Sequence, residues 1–348
     1  MEQHAESGGA GRGRTSPPGV VTRVAAGVGV IELDRPGALN ALDLGMIRLI
    51  TAALEEWRDD GAVRSVVVRS TSPKAFCSGG DIRAVREAAL RGDDAAVLTY
   101  FSAEYALNAL IARYPKPYTA LIDGYAMGGG LGISVHGTAR VVTERAALAM
   151  PETGIGFFPD VGASYFLPRL PGGIGLYLGL TGTRISAAAA VECGLATHYV
   201  PAAELPALEA ALPGGGDPAR VLDGFAAAAP PSELAGHREA IDRCFSGFSA
   251  GLADGVGEVR ARLGAEDDDR EWADETLALL GRVSPMSLAI TFDLLRDGAG
   301  SGLEACLARE LELARRTTRS LDFAEGVRAA LVDKDRRPRW SAGDGPGS

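Results

Sequence analysis

Short apolar runs and helix-period stretches alternate along most of this chain. Val28-Gly29-Val30-Ile31-Glu32-Leu33 alternates as a strand and stops at Arg35-Pro36-Gly37. Met46, Leu49, Ile50, Ala53, Leu54 and Trp57 recur at three- to four-residue spacing and predict a helix over Leu44–Trp57. Ser65–Arg69 is β-branched with little polar interruption, as in a buried parallel sheet. A second helix is predicted over 95–111, and further strands at 117–122 and 140–143. Strands alternating with helices imply an α/β core with right-handed crossovers. Past Val200 the strand signals fade, and a Gly/Pro-rich stretch at 213–218 leads into helical segments. Residues 19–201 therefore read as the core and 202–340 as a helical extension packed on it. Residues 1–18 and 341–348 read as disordered ends.

Composition narrows the function classes. With 348 residues, 46% hydrophobic and 23% charged, the chain can bury a full core. A formal charge of −10 argues against a nucleic-acid partner, whose phosphates need a basic face, but leaves room for a local basic patch toward a phosphorylated ligand. Cys77, Cys193, Cys244 and Cys306 stand far apart, with neither zinc spacing nor a disulfide framework. A reducing compartment follows. The polar, acid-containing first 18 residues lack a secretory or organellar signature, which points to the cytosol. No apolar run reads as long enough to span a membrane, so no membrane association is expected.

Candidate chemistry concentrates in three places. Pro151–Asp160 holds two carboxylates, Glu152 and Asp160, in a segment too rich in Gly and Pro for a helix. Upstream stand Gly79-Gly80 and Gly128-Gly129-Gly130, read as strand-to-helix turns after the 66–68 and 118–122 strands. Glycine lets a ligand approach bare backbone N–H groups, so two such turns on neighbouring strands could converge on one oxyanion. Tight turns serving packing alone remain the other reading. Acids beside an oxyanion site indicate a carbonyl substrate and acyl or enolate chemistry. Glu152 could instead cap a loop amide, and Asp160 could cap a helix starting at Val161.

These residues bring the chain to a resemblance. Arg35-Pro36 with Leu39-Asn40-Ala41-Leu42, Ala75–Ile82 and Asp123–Gly130 resemble the crotonase (enoyl-CoA hydratase/isomerase) superfamily. Phe101–Asn108, Ser134–Gly137, Pro151–Leu170 and Asp322–Asp335 are similar to its 3-hydroxyisobutyryl-CoA hydrolase branch, over nearly the whole chain. The resemblance implies a crotonase-like ββα spiral core with a C-terminal helical extension. It also implies that Gly80 and Gly129 supply the oxyanion N–H groups, and that the backbone around Asp81 and Ile82 bonds the CoA adenine. Arg83 becomes a candidate for a CoA phosphate, with simple solvation as the alternative. Glu104 would face the substrate's hydroxyl, unless it lies on a solvated helix face. CoA is then part of the substrate and a product, with no separate cofactor implied. Members of the superfamily are often trimers or hexamers, which allows a homo-oligomer unless the extension covers the surface involved.

One departure discriminates between chemistries. Hydratases of that superfamily carry a second catalytic Glu two residues past the glycine triplet, where this chain has Gly132. Hydration needs one group to activate water and another to protonate Cα. The acid at Asp160, where hydratases usually have a small residue, instead suits thioester hydrolysis. The expectation is an acyl-CoA hydrolase acting on 3-hydroxyisobutyryl-CoA in valine breakdown. Isomerisation through an enolate, or CoA binding without turnover, are the rivals. Ser134 and His136 do not form a serine-hydrolase elbow, and Cys77 lacks a His or Lys neighbour to form a thiolate. Neither a dinucleotide fingerprint nor a metal cluster is apparent.

Overall fold

The computed structural model describes residues 19–214, 216–248 and 251–341. Its strands are β1 (Val20–Ala25), β2 (Val28–Leu33), β3 (Ser65–Ser70), β4 (Ala75–Cys77), β5 (Tyr118–Ile122), β6 (Tyr125–Met127), β7 (Ala139–Val142), β8 (Ala147–Ala149), β9 (Ile185–Ser186) and β10 (His198–Tyr199). They form two sheets, of order β1-β2-β3-β5-β7-β10 and β4-β6-β8-β9. All pairings are parallel except β1 with β2 and β8 with β9. Core helices are α1 (Leu44–Arg58), α2 (Ile82–Leu90), α3 (Asp94–Ala112), α4 (Gly129–Gly132), α5 (Ala163–Phe166), α6 (Ile174–Thr181) and α7 (Ala187–Glu192).

The units β3-β4-α2 and β5-β6-α4 each send one strand to the large sheet, one to the small sheet and then turn into a helix. β7 and β8 repeat the step before the Glu152 loop. This is the spiral the resemblance implies. The sequence reading missed the short second strands, so the glycine turns follow β4 and β6 rather than β3 and β5 directly. Three residues are too few to show a period. The correction helps the chemistry, because β4 and β6 are hydrogen-bonded neighbours and bring the two turns side by side.

Helix α3 corrects a second expectation, because it is long and apolar enough to cross a membrane by length and composition. Its Tyr100, Phe101, Glu104, Tyr105 and Asn108 are buried inside the protein, as in the central helix of a packed core.

The extension comprises α8 (Leu205–Ala211), α9 (Pro218–Phe225), α10 (Arg238–Phe245), α11 (Gly255–Gly264), α12 (Arg270–Leu280), α13 (Pro285–Gly298), α14 (Leu303–Thr317) and α15 (Leu321–Val327). Leu205, Leu208, Leu212 and Leu222 of α8–α9 cluster with Val30, Val67, Leu121 and Val141, covering the outer face of the large sheet. The remaining helices share one continuous apolar core with the other face, through Phe245, Trp272, Leu288, Phe292 and Phe323. Burial on both faces explains why β3 and β5 read as unbroken apolar runs. The expected N-terminal tail lies outside the described residues, as does 342–348. Ser341 is fixed, its N–H donating to Asp322 Oδ1 at 2.8 Å, which corrects its assignment to a disordered tail.

Candidate active site

The two glycine turns meet. Leu42 locks the first one, its N–H donating to Gly79 O and its carbonyl accepting from Asp81 N, both at 2.8 Å. A Cβ placed on Gly129 would stand 3.2 Å from Gly80 N and 2.5 Å from Glu104 Oε1. The amides of Gly80 and Gly129 thus border one small space, and neither finds an acceptor among the described residues. Two free N–H groups so placed can bond one oxygen.

Three carboxyls surround that space. Glu152, Glu104 and Asp160 are 7%, 2% and 6% exposed, so none lies on a solvated face. Glu152 Oε1 is 2.5 Å from where a Cβ of Gly128 would be, which places its carboxyl against the second turn. Glu152 Oε2 and Glu104 Oε1 have no hydrogen-bond partner. Asp160 Oδ2 accepts from the Tyr105 hydroxyl at 2.7 Å. The helix-cap alternative for Asp160 fails, since α5 starts at Ala163 and Gly162 occupies its N-cap position. Glu104 and Tyr105 come from α3, whose role at the site rested in the sequence on resemblance alone.

Burial is the main force on the ionisation of all three. It raises the Glu104 carboxyl well above the usual range, with the Asp160 charge adding and the Tyr100 hydroxyl opposing. Glu152 is raised in the same way, by burial and then by the charge on Asp160. Asp160 is raised to about 7 by burial, against hydrogen bonds from Tyr105 and its own backbone. Three repelling carboxyls in one dry space cannot all ionise, so a protonated and an ionised group coexist near neutrality. That is the distribution acid–base chemistry requires.

The extension holds the loops that carry these acids. Fully buried Glu310 of α14 accepts from Gly162 N at 2.7 Å, Ser164 N at 3.0 Å and Ser164 Oγ at 2.5 Å, so it caps α5 just after Asp160. Ser284 N donates to Thr153 O at 3.2 Å, beside Glu152. Ser284 Oγ in turn donates to buried Asp322 at 2.5 Å. Gly156, with φ of +71°, would drive a Cβ to 2.2 Å from Asp322 O, so only glycine fits this seam. Phe157 stacks on Phe101 and Phe158 and packs against Phe323 of α15, forming an aromatic cover.

The sequence reading missed Glu310 and Asn108. Asn108 is fully buried one helical turn beyond Glu104, and neither its Oδ1 nor its Nδ2 has a partner. Leaving such a group unpaired costs roughly 1–3 kcal/mol. The available signal was a polar residue within an apolar helix face: Asn108 follows Tyr105 and precedes Ile111, and Glu310 falls between Leu307 and Ala314.

The expected CoA residues lie together at the start of α2. The amides of Asp81 and Ile82 are engaged internally with Leu42 O and Gly80 O, each at 2.8 Å. The Asp81 carboxylate caps Ala84 N and pairs with Arg35 at 2.9 Å. Exposed Arg83 donates to the Leu331 carbonyl, which ties α2 to the C-terminal segment. Burial pushes the Cys77 thiol up to about 12, which removes it as a nucleophile. His136 Nε2 donates to Val161 O at 2.7 Å, and burial lowers its pKa to about 4, so it is neutral. Among the described residues no cluster of three or more His, Cys, Asp or Glu could hold a metal. A cavity of about 540 Å³ lies away from the acids, between Ala109, His136, Phe166 and Leu303. Glu104, Glu152 and Asp160 are themselves buried.

The enoyl-CoA hydratase/isomerase family model matches residues 28–344. The mitochondrial 3-hydroxyisobutyryl-CoA hydrolase of Xenopus tropicalis is 45% identical over 90% of this chain and 82% of its own length. The Homo sapiens protein of that name is 41% identical over 91% and 82%. Among solved structures, a carnitinyl-CoA dehydratase from Mycobacterium thermoresistibile superposes with a TM-score of 0.86 at 38% identity, covering 92% of this chain and 91% of that one. An enoyl-CoA hydratase from Rhodobacter sphaeroides 2.4.1 gives 0.84 at 41%, covering 94% and 93%. The chain therefore belongs to the enoyl-CoA hydratase/isomerase family, in the branch that holds the 3-hydroxyisobutyryl-CoA hydrolases.

Proposed function

We propose that the protein hydrolyses the thioester of 3-hydroxyisobutyryl-CoA, releasing 3-hydroxyisobutyrate and CoA, a step suited to valine degradation. The observation that carries this reading is the buried set of Glu152, Asp160 and Glu104 around the free amides of Gly80 and Gly129. The curated relatives named for this reaction, 40–45% identical over at least 90% of the chain, support it.

In this reading the thioester oxygen lies between the Gly80 and Gly129 amides. Each such donor contributes about 2.7–4 kcal/mol to transition-state stabilisation. With the proton shared among these coupled carboxyls resting on Asp160, Glu152 attacks the carbonyl carbon as the carboxylate, the C–S bond breaks, and Asp160 delivers that proton to the departing sulfur. Water then cleaves the resulting anhydride with Asp160 as base. In the shorter route Glu152 activates water directly. Label in Glu152 after a single turnover in ¹⁸O-labelled water identifies the first route with water attacking the Glu152 carbonyl of the anhydride, because direct activation of water never exchanges a Glu152 oxygen. The CoA portion would run past Asp81, Ile82 and Arg83. Since the Asp81 and Ile82 amides are engaged, their loop would offer the adenine carbonyl acceptors.

The solved relatives named as hydratase and dehydratase make hydration the competing chemistry. Position 132 weighs against it. A Cβ at Gly132 would fall 2.7 Å from Val161 Cβ and 2.9 Å from Asn108 Nδ2, so a second glutamate has no room. Thiol release from 3-hydroxyisobutyryl-CoA, measured beside loss of the enoyl absorbance of crotonyl-CoA, decides between them. Crotonyl-CoA hydration without thiol release would overturn the proposal.

Buried, unpaired cysteines fit a reducing compartment. We read this as the cytosol, whereas the vertebrate relatives are named mitochondrial.

A further inference from the structure

Asn108 presents two unsatisfied polar atoms in a fully buried position. It follows Glu104 by one turn of α3, so both side chains project from the same face of that helix. That face lies along α4. Glu104 Oε1 is 2.5 Å from a Cβ placed on Gly129, and Asn108 Nδ2 is 2.9 Å from one placed on Gly132. Gly129 marks where a thioester oxygen would bind, and Gly132 lies three residues further along, a rise of about 4.5 Å. An acyl chain leaving the carbonyl in that direction brings its third carbon toward Asn108.

We infer that Asn108 is a specificity-determining residue whose carboxamide binds the 3-hydroxyl of the acyl group, opposite Glu104. The inference rests on the proposed hydrolase reading and extends it to how the acyl group is recognised. A hydroxyl both donates and accepts, so it can pair with either atom of the amide and with Glu104 Oε1 at once. Binding substrate would then satisfy orphaned atoms on two neighbouring residues of α3. An acyl group without the hydroxyl leaves them unpaired, and sites of this kind can reject such analogues by up to about 10⁴–10⁵-fold. Val161, packed against the same point of α4, supplies the apolar wall opposite the amide.

The test compares kcat/KM for 3-hydroxyisobutyryl-CoA and isobutyryl-CoA in the wild type, Asn108→Leu and Asn108→Ala. The ratio of the two substrates within one preparation is independent of the folded fraction, so partial misfolding does not obscure it. The expected result is a wild-type preference for the hydroxylated substrate that falls at least tenfold in both variants. If both substrates lose activity equally, or the ratio stays within twofold of wild type, Asn108 does not read the hydroxyl and the inference is overturned. A wild type that releases no CoA from 3-hydroxyisobutyryl-CoA would overturn the hydrolase reading itself, a separate outcome.

Discussion

The spiral core and the helical extension divide the labour of the site unequally. Every group proposed to act at the reacting atoms, namely Gly80, Gly129, Glu104, Glu152 and Asp160, comes from the core. The extension touches the loops behind those groups, through Glu310 on Gly162 and Ser164, Ser284 on Thr153 and Asp322 on Ser284. The difference teaches how loops rich in Gly and Pro come to hold buried acids in fixed places. A loop of that composition has little stiffness of its own. Here an outside scaffold supplies it through hydrogen bonds to main-chain atoms. Chemistry and rigidity are therefore separable by mutation, and that separation can be broken or sharpened.

The largest effect belongs to the core. Glu152→Gln should lower kcat by roughly 10²–10⁴-fold with the fold retained. Activity within threefold of wild type, in steady-state assays on folded protein, would remove Glu152 from the chemistry. Next comes Glu310→Ala, which strands three donors and opens a cavity. It should cost about 2–4 kcal/mol of stability by chemical denaturation and lower kcat more than KM. Unchanged stability would mean that the extension does not brace the Asp160 loop. Asp322→Asn keeps the shape but weakens the acceptors for Ser284 and Ser341, and should cost about 1–2 kcal/mol.

A pH experiment sharpens the same contrast. Burial raises the Glu310 carboxyl from 4.5 to about 8, against hydrogen bonds from Ser164 and Gly162. The folded state therefore keeps a proton that the unfolded chain releases, and stability should fall as pH rises through that window. Glu310→Gln, which cannot ionise but turns its NH2 toward one of the two backbone N–H donors, should start less stable than wild type near pH 5 and lose less melting temperature than wild type between pH 5 and pH 8. Parallel melting curves across that range would refute the account. The smallest effect is expected from the exposed pair between Arg319 of the extension and Asp94 of α3. Arg319→Ala should leave the melting temperature unchanged within error, because solvent screens such pairs. A measurable loss would show that surface charge also holds the two regions together.

Much of this division was legible in the residues, unevenly. Four strands of the large sheet, β2, β3, β5 and β7, and the helices α1 and α3 were predicted to within about a residue from their apolar patterns, whereas the edge strands β1 and β10 were not read. The glycine turns and the acids of the Glu152–Asp160 segment stood out because such residues are costly to place without a reason. β4 and β6 were invisible at three residues each, although they align the two turns. Tyr105 as the partner of Asp160 could not be read from sequence, since it depends on α3 crossing the site 55 positions away. Glu310 contacts Gly162 from 148 positions away, and only its place within an apolar stripe hinted that it was buried.

The crowded point at Gly132 bears on how such enzymes change occupation. Restoring a glutamate there would not by itself restore hydration, because Val161 and Asn108 already occupy the volume it needs. Gly132→Glu alone should damage packing, whereas the same change with smaller residues at 108 and 161 should cost less stability. Effects at these three positions should therefore be strongly non-additive, as expected of side chains in contact.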